Sequence, residues 1–171
     1  MREAAKPALE KLDELGIKYY YYEHPLAKTM EDCEGIGADV GAKHFKNIYA
    51  CDHTETNFFI IIIRAYKKFR TSEVSRKLGV SRLSFCTDEM LQENLGVVSG
   101  AVTPLALMND KEHKTLLVVD KDILRDEMVC CHPLTSDATV AMHRYDLIKF
   151  VRACGNEIKF LDIGDGEHTE E

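Results

Sequence analysis

Asn47-Ile48-Tyr49-Ala50-Cys51-Asp52 and Asn57-Phe58-Phe59-Ile60-Ile61-Ile62-Ile63-Arg64, separated by the polar turn His53-Thr54-Glu55-Thr56, decide the fold class of this chain. Both runs are rich in β-branched and aromatic residues, and the short polar connection marks a hairpin central to a sheet. The apolar run Phe58 to Ile63 stops at Arg64, far short of the ~20 residues needed to cross a bilayer, so it is a buried strand. Upstream, Ala5, Ala8, Leu9, Leu12 and Leu15 recur at helical spacing before Gly16, and Ile17 to Glu23 extends as a strand closed by His24-Pro25. Thr29 with Asp32 forms a capping-box pattern opening a short helix through Cys33 and Ile36. Downstream, Ser72 caps a helix through Leu78, Arg82 to Cys86 is a strand, and Thr87 caps a helix through Leu95. Strands at Thr115 to Val119, Met128 to Cys131 and Ala138 to Met142 follow, then a helix over Tyr145 to Cys154 and a last strand, Glu157 to Ile163. About eight strands alternate with helices without repeat or linker, which defines a single α/β (α+β) domain over 1–163 with a polar, acidic tail over 164–171.

With 171 residues, a domain of this kind buries roughly 70 % of its unfolded surface. Twenty-two basic residues stand against 29 acids, a net of −7 that excludes a histone-like or polybasic role. Asp162, Asp165, Glu167, Glu170 and Glu171 carry five of those acids with no lysine or arginine beside them, so the rest nets 22 − 24 = −2. The first residues lack the apolar run of a secretory signal, and the expected location is the cytoplasm. Six scattered cysteines form no C-x-x-C pair, so reduced thiols without a zinc site are expected.

Four stretches could carry chemistry. From Arg64 to Arg82, seven basic residues face one acid, Glu73, and Tyr66 and Phe69 lie among them. Such a segment is either a solvated face or a nucleic-acid contact with a stacking aromatic. Lys43-His44-Phe45-Lys46-Asn47 opens a buried strand, where Lys46 and Asn47 either guard a strand edge or place a cation and an amide at a pocket rim. Gly96-Val97-Val98-Ser99-Gly100-Ala101-Val102-Thr103-Pro104 is a plain turn or a loop whose backbone N–H groups meet an anion. In Cys130-Cys131-His132-Pro133-Leu134, the neighbours Cys131 and His132 point to opposite faces of a strand, which argues against a thiolate–histidine pair. No G-x-S-x-G or H-E-x-x-H occurs, so a hydrolase here works without an obvious protein nucleophile.

Phe45-Lys46-Asn47, then Gly100-Ala101-Val102-Thr103-Pro104-Leu105, then His132-Pro133-Leu134 with Thr139, in this order, resemble the signature of the YbaK/ProX family of prolyl-tRNA editing proteins. The likeness spans roughly Leu9 to Ile163. It implies a mixed, largely antiparallel sheet curled toward a barrel with flanking helices. It also implies a trans-editing deacylase that removes alanine mischarged on proline tRNA, with no metal or cofactor. Carried over residue by residue, the resemblance puts the catalytic set on Lys46, Gly100 and His132, and substrate binding on Asn47, Thr29, Ala101, Val102 and Pro104. The acceptor end of the tRNA would meet Arg64, Lys67, Lys68 and Arg70, with prolyl-tRNA synthetase a candidate docking partner. Lys46 would hold the terminal phosphate or ester region, Gly100 would offer an oxyanion N–H, and water would attack with help from the substrate's ribose hydroxyl. Ala101, Thr103 and Leu105-Ala106-Leu107 depart from the family pattern in pocket-wall volume. Specificity for cysteine, a non-catalytic tRNA-binding module and, more remotely, a cysteine-dependent redox protein are the competing readings.

Overall fold

The computed structural model describes residues 1–164; the rest of the acidic tail expected over 164–171 lies outside the described residues. Eight strands, β1 (Tyr19–Glu23), β2 (Lys43–Cys51), β3 (Phe58–Arg64), β4 (Ser84–Phe85), β5 (Thr115–Asp120), β6 (Met128–Cys131), β7 (Ala138–His143) and β8 (Ile158–Leu161), form one mixed sheet. Four helices flank it: α1 (Lys6–Glu14), α2 (Thr71–Leu78), α3 (Asp88–Leu95) and α4 (Arg144–Cys154). The strand order is β1-β7-β6-β2-β3-β5-β8, with β4 beside the end of β2.

The central hairpin forms as its sequence dictates, with Phe45 opposite Arg64 and Cys51 opposite Phe58. β3 is apolar at every position from Phe58 to Ile63 because both of its faces are covered. Phe58, Ile60 and Ile62 join the main core, with Leu9 and Leu12 of α1, Leu91 and Leu95 of α3, and Phe150 and Val151 of α4. Phe59, Ile61 and Ile63 face Val74 of α2 and Leu83 on the other side.

The sheet is mixed, with β1/β7, β2/β3, β2/β4 and β6/β7 antiparallel and β2/β6, β3/β5 and β5/β8 parallel. It does not close into a barrel. β1 and β8 each have one partner, and closure requires every strand to be paired on both sides. Thr87 caps α3 as expected, its side chain accepting from Met90 N–H. The cap of α2 is instead the extended Arg70, which leaves Ser72 inside the first turn. Between Thr29 and Val40 the chain forms two short 3-10 turns, Glu31–Cys33 and Ala38–Val40, rather than a helix through Ile36; Gly35 and Gly37 at φ +85° and +82° break the run.

Lys67 corrects the sequence reading most sharply. Expected on a tRNA-binding surface, it is 1 % exposed, and its Nζ donates to Asp120 Oδ1 (2.9 Å), Asp122 Oδ2 (2.7 Å) and the Ile163 carbonyl (2.8 Å). Asp120 also accepts from Arg64 N–H (3.1 Å) and Asp122 N–H (3.1 Å). Burial disfavours the ammonium, but its bonds to the two carboxylates outweigh that and hold its pKa above the ordinary lysine value. Lys67→Met should lower the unfolding free energy by about 3–5 kcal/mol in urea titration, because it strands Asp120 in the interior. A loss below about 1 kcal/mol would show that the cluster is not a structural anchor.

Candidate functional site

The site arises where β2 changes partners. On the side of β2 away from β3, its first residues pair in parallel with β6, Lys43 with Val129 and His44 with Cys130, and its last pair with β4, Ala50 with Phe85 and Cys51 with Ser84. Phe45 to Ile48 between them have no strand partner on that edge. β6 stops at Cys131, the chain leaves through His132-Pro133, and a cavity of about 330 Å³ fills the gap. That volume is at the small end for ligand pockets. Thr29, Lys46, Asn47, Gly100, Val102 and His132 all line it, so six of the sequence-derived site residues converge from four separate segments.

Lys46 is half-buried, and its Nζ donates to the Lys67 carbonyl at 2.5 Å. The backbone of the anchored turn thus holds the pocket cation. Asn47 donates weakly from Nδ2 to the Phe45 carbonyl (3.4 Å), while its buried Oδ1 has no partner among the described residues. A buried acceptor left unmatched costs about 1–3 kcal/mol, so Asn47 is poised for a donor supplied by a ligand.

α3 ends at Gly96, and Ala101 N–H then donates to the Val98 carbonyl (3.0 Å), closing a turn with Gly100 third in line at φ +90°. That is the position where a type II turn demands glycine. Behind it, Thr103 accepts from Leu105 N–H (3.2 Å) and Asn109 Nδ2 donates to the Leu95 carbonyl (2.9 Å), fixing both ends of the loop. Gly100 and Val102 therefore reach the cavity, whereas Ala101, which packs into the main core, and Pro104, which is buried, do not line it.

His132 Nδ1 is 2.8 Å from the Ala138 carbonyl, an acceptor only, so the hydrogen sits on Nδ1 and Nε2 carries the lone pair of the neutral ring. Burial pushes its pKa below the ordinary histidine value, His24 and His44 add to that, and the bond to Ala138 opposes it. His24 stands 6.2 Å from it between ring centroids; its Nδ1 donates to the Pro25 carbonyl (2.8 Å) and its Nε2 accepts from Thr139 Oγ1 (2.8 Å). The pairing of Tyr22 with Thr139 in β1/β7 brings these two together across 115 residues, a link with no local sequence signal. Thr29 and Asp32 exchange hydrogen bonds, Thr29 N–H to Oδ2 (3.1 Å) and Asp32 N–H to Oγ1 (3.4 Å), and Thr29 lines the cavity.

Burial raises both thiols beside the cavity, Cys130 to about 12 and Cys131 well above the ordinary cysteine value, so neither is a thiolate near neutral pH. The basic segment is largely used up in structure. Arg64 binds Asp126 (2.7 Å), Lys67 is buried, Lys77 binds Glu73 (2.9 Å), and Arg70 is half-buried. Lys68, Arg76 and Arg82 stay exposed and unpaired among the described residues, so of the four proposed tRNA contacts only Lys68 presents a fully exposed, free cation.

The chain is thus an open mixed sheet with a small pocket where β2 changes partners. Residues 24–150 match the family described as "Aminoacyl-tRNA editing domain", and the chain belongs to that family. It is 30 % identical to the prolyl-tRNA editing protein ProX of Acetoanaerobium sticklandii over 94 % of this chain and 98 % of that protein. It is 31 % identical to prolyl-tRNA synthetase associated domain-containing protein 1 of Danio rerio over 83 % and 78 %. A crystal structure proposed to be a trans-editing enzyme for prolyl-tRNA synthetase shares the fold at a TM-score of 0.73 and 19 % identity, covering 96 % of this chain and 99 % of that one. No helix among the described residues is long and apolar enough to cross a membrane.

The buried imidazoles set a pH dependence. His132 and His44 both have depressed pKa values in the fold, mainly through burial, so the unfolded chain binds more protons as pH falls. Their stabilisation is complete above the unfolded value of about 6.5 and is lost as pH drops through it toward the lower folded values. Urea midpoints should fall between pH 7.5 and 5.5, and less steeply in His132→Asn; equal slopes would show that His132 does not titrate differently on folding.

Proposed function

We propose that the protein is a trans-editing deacylase that hydrolyses the ester linking alanine to proline tRNA. The observation that carries this reading is the cavity itself, where a cation, a glycine turn, a neutral imidazole and an unmatched buried amide oxygen converge with no ionised thiol. Ester hydrolysis without a protein nucleophile needs those elements: water attacks, and preorganised donors meet the charge that develops on the carbonyl oxygen. Lys46 holds the ester or the adjacent phosphate, Gly100 N–H faces the oxyanion, and the substrate's ribose hydroxyl assists the water. Asn47 Oδ1 accepts from the α-ammonium of the amino acid, and His132 borders the pocket as a neutral acceptor.

The size of the cavity supports a small amino acid. A synthetase site shaped for proline discriminates against the smaller alanine by only ~1–3 kcal/mol, so a second site that admits small products is needed. The named activity of the Acetoanaerobium relative, editing of prolyl-tRNA, agrees with this reading.

Two experiments test it. Lys46→Ala should reduce deacylation of alanyl-tRNA(Pro) about 10²-fold or more while leaving the urea midpoint nearly unchanged, since the half-buried lysine makes one bond to a backbone carbonyl. Full activity in that variant would remove Lys46 from the reaction. Proline tRNA charged separately with alanine, cysteine, serine and proline should be hydrolysed fastest when it carries alanine and spared when it carries proline. Faster hydrolysis of the cysteinyl ester would reassign the specificity, and hydrolysis of none would leave a tRNA-binding module.

A further inference from the structure

A second groove, about 620 Å³, adjoins the cavity and shares Met30 and His44 with it. Gly35, Ala42 and Ala65 line it together with Tyr66, a ring left 64 % exposed. Tyr66 sits in the turn closed by Lys67 N–H and the Arg64 carbonyl (3.0 Å). That turn is the one whose lysine is locked to Asp120 and Asp122 and whose Lys67 carbonyl holds Lys46. An exposed aromatic on an anchored backbone is a stacking platform ready before any ligand arrives.

The charges in the groove say what it takes. Glu31, Glu34 and Asp126 outnumber Lys43 and Arg64, and Arg64 is already spent on Asp126 (2.7 Å), so the groove is not an anion site. Free carboxylates accept hydrogen bonds and repel anions, and the exposed Tyr66 ring offers a flat apolar face, a combination that fits a planar ligand edged with N–H donors and without negative charge on the ring. We propose that this groove is the subsite for the adenine base of the acceptor end's terminal nucleoside. Tyr66 stacks on the ring and Glu31 or Glu34 receives its exocyclic amino group. This rests on the editing reading: the ester and ribose fill the smaller cavity, and the attached base must leave through its open side, where the groove begins.

The test compares alanyl esters that differ only in the base. Alanyl-adenosine should be hydrolysed with a kcat/KM about ten-fold above that of the alanyl ester of 1-O-methylribose, which has no base. Alanyl-inosine, with a carbonyl where adenine has its amino group, should lose most of that advantage. Tyr66→Ala should abolish the advantage without changing hydrolysis of the base-free ester, and Tyr66→Phe should restore it. As a second measurement, free adenosine should inhibit deacylation of alanyl-tRNA(Pro) by the unaltered protein and inhibit Tyr66→Ala about ten-fold less. Base-blind hydrolysis without inhibition by adenosine, or equal losses on both esters in Tyr66→Ala, overturns the subsite while leaving editing intact. Failure to hydrolyse any mischarged proline tRNA removes the editing reading and the subsite with it.

Discussion

The Lys67 ammonium lies where water does not reach it, and it demands that three oxygens be brought to it from β5, the turn beyond it and the segment after β8. An unpaired charge at that depth would cost several kcal/mol, so the fold is held to the arrangement in which all three are present. The consequences run outward from the side chain to its own backbone. The Lys67 carbonyl receives Lys46, and the turn that contains it displays Tyr66. One buried ion cluster therefore positions the cation of the cavity and the aromatic of the neighbouring groove.

The cavity owes its existence to an interrupted ladder. β2 is paired continuously with β3 on one edge, while on the other β6 accompanies it only at Lys43 and His44 and β4 only at Ala50 and Cys51. A buried strand edge is ordinarily covered, since its backbone groups require partners. Here the interval from Phe45 to Ile48 is bordered by the Gly100 loop, His132 and the Thr29 turn, which leaves a pocket rather than a paired strand edge.

Within the pocket, electrostatic states follow from depth. The imidazole of His132 is kept neutral by burial and turned by the Ala138 carbonyl so that its lone pair lies on Nε2. The thiols of Cys130 and Cys131 are kept protonated by the same burial. A site with neutral acceptors, the ammonium groups of Lys28 and Lys46 and no strong nucleophile suits hydrolysis by water on a substrate that brings its own hydroxyl.

Periodicity and capping chemistry determined several elements: the continuous apolar run of β3 and the Thr87 cap of α3 are local and present as read, whereas Thr29 and Asp32 close a short turn instead of opening a helix through Ile36. Lys46, Asn47, Gly100 and His132 were legible as candidate site residues because short motifs carried them in a specific order, and all four line the cavity. Tertiary structure alone decided which basic residues of the Arg64 to Arg82 segment face solvent, since Asp120, Asp122 and Asp126 lie more than fifty residues away and charge along a chain does not reveal its partners. It also decided that Ala101 and Pro104 are buried away from the cavity while Gly100 and Val102 reach it, and that His24 meets Thr139. Such outcomes depend on strand register and on where a ladder breaks, which are set by long-range pairing rather than by any residue's neighbours in sequence.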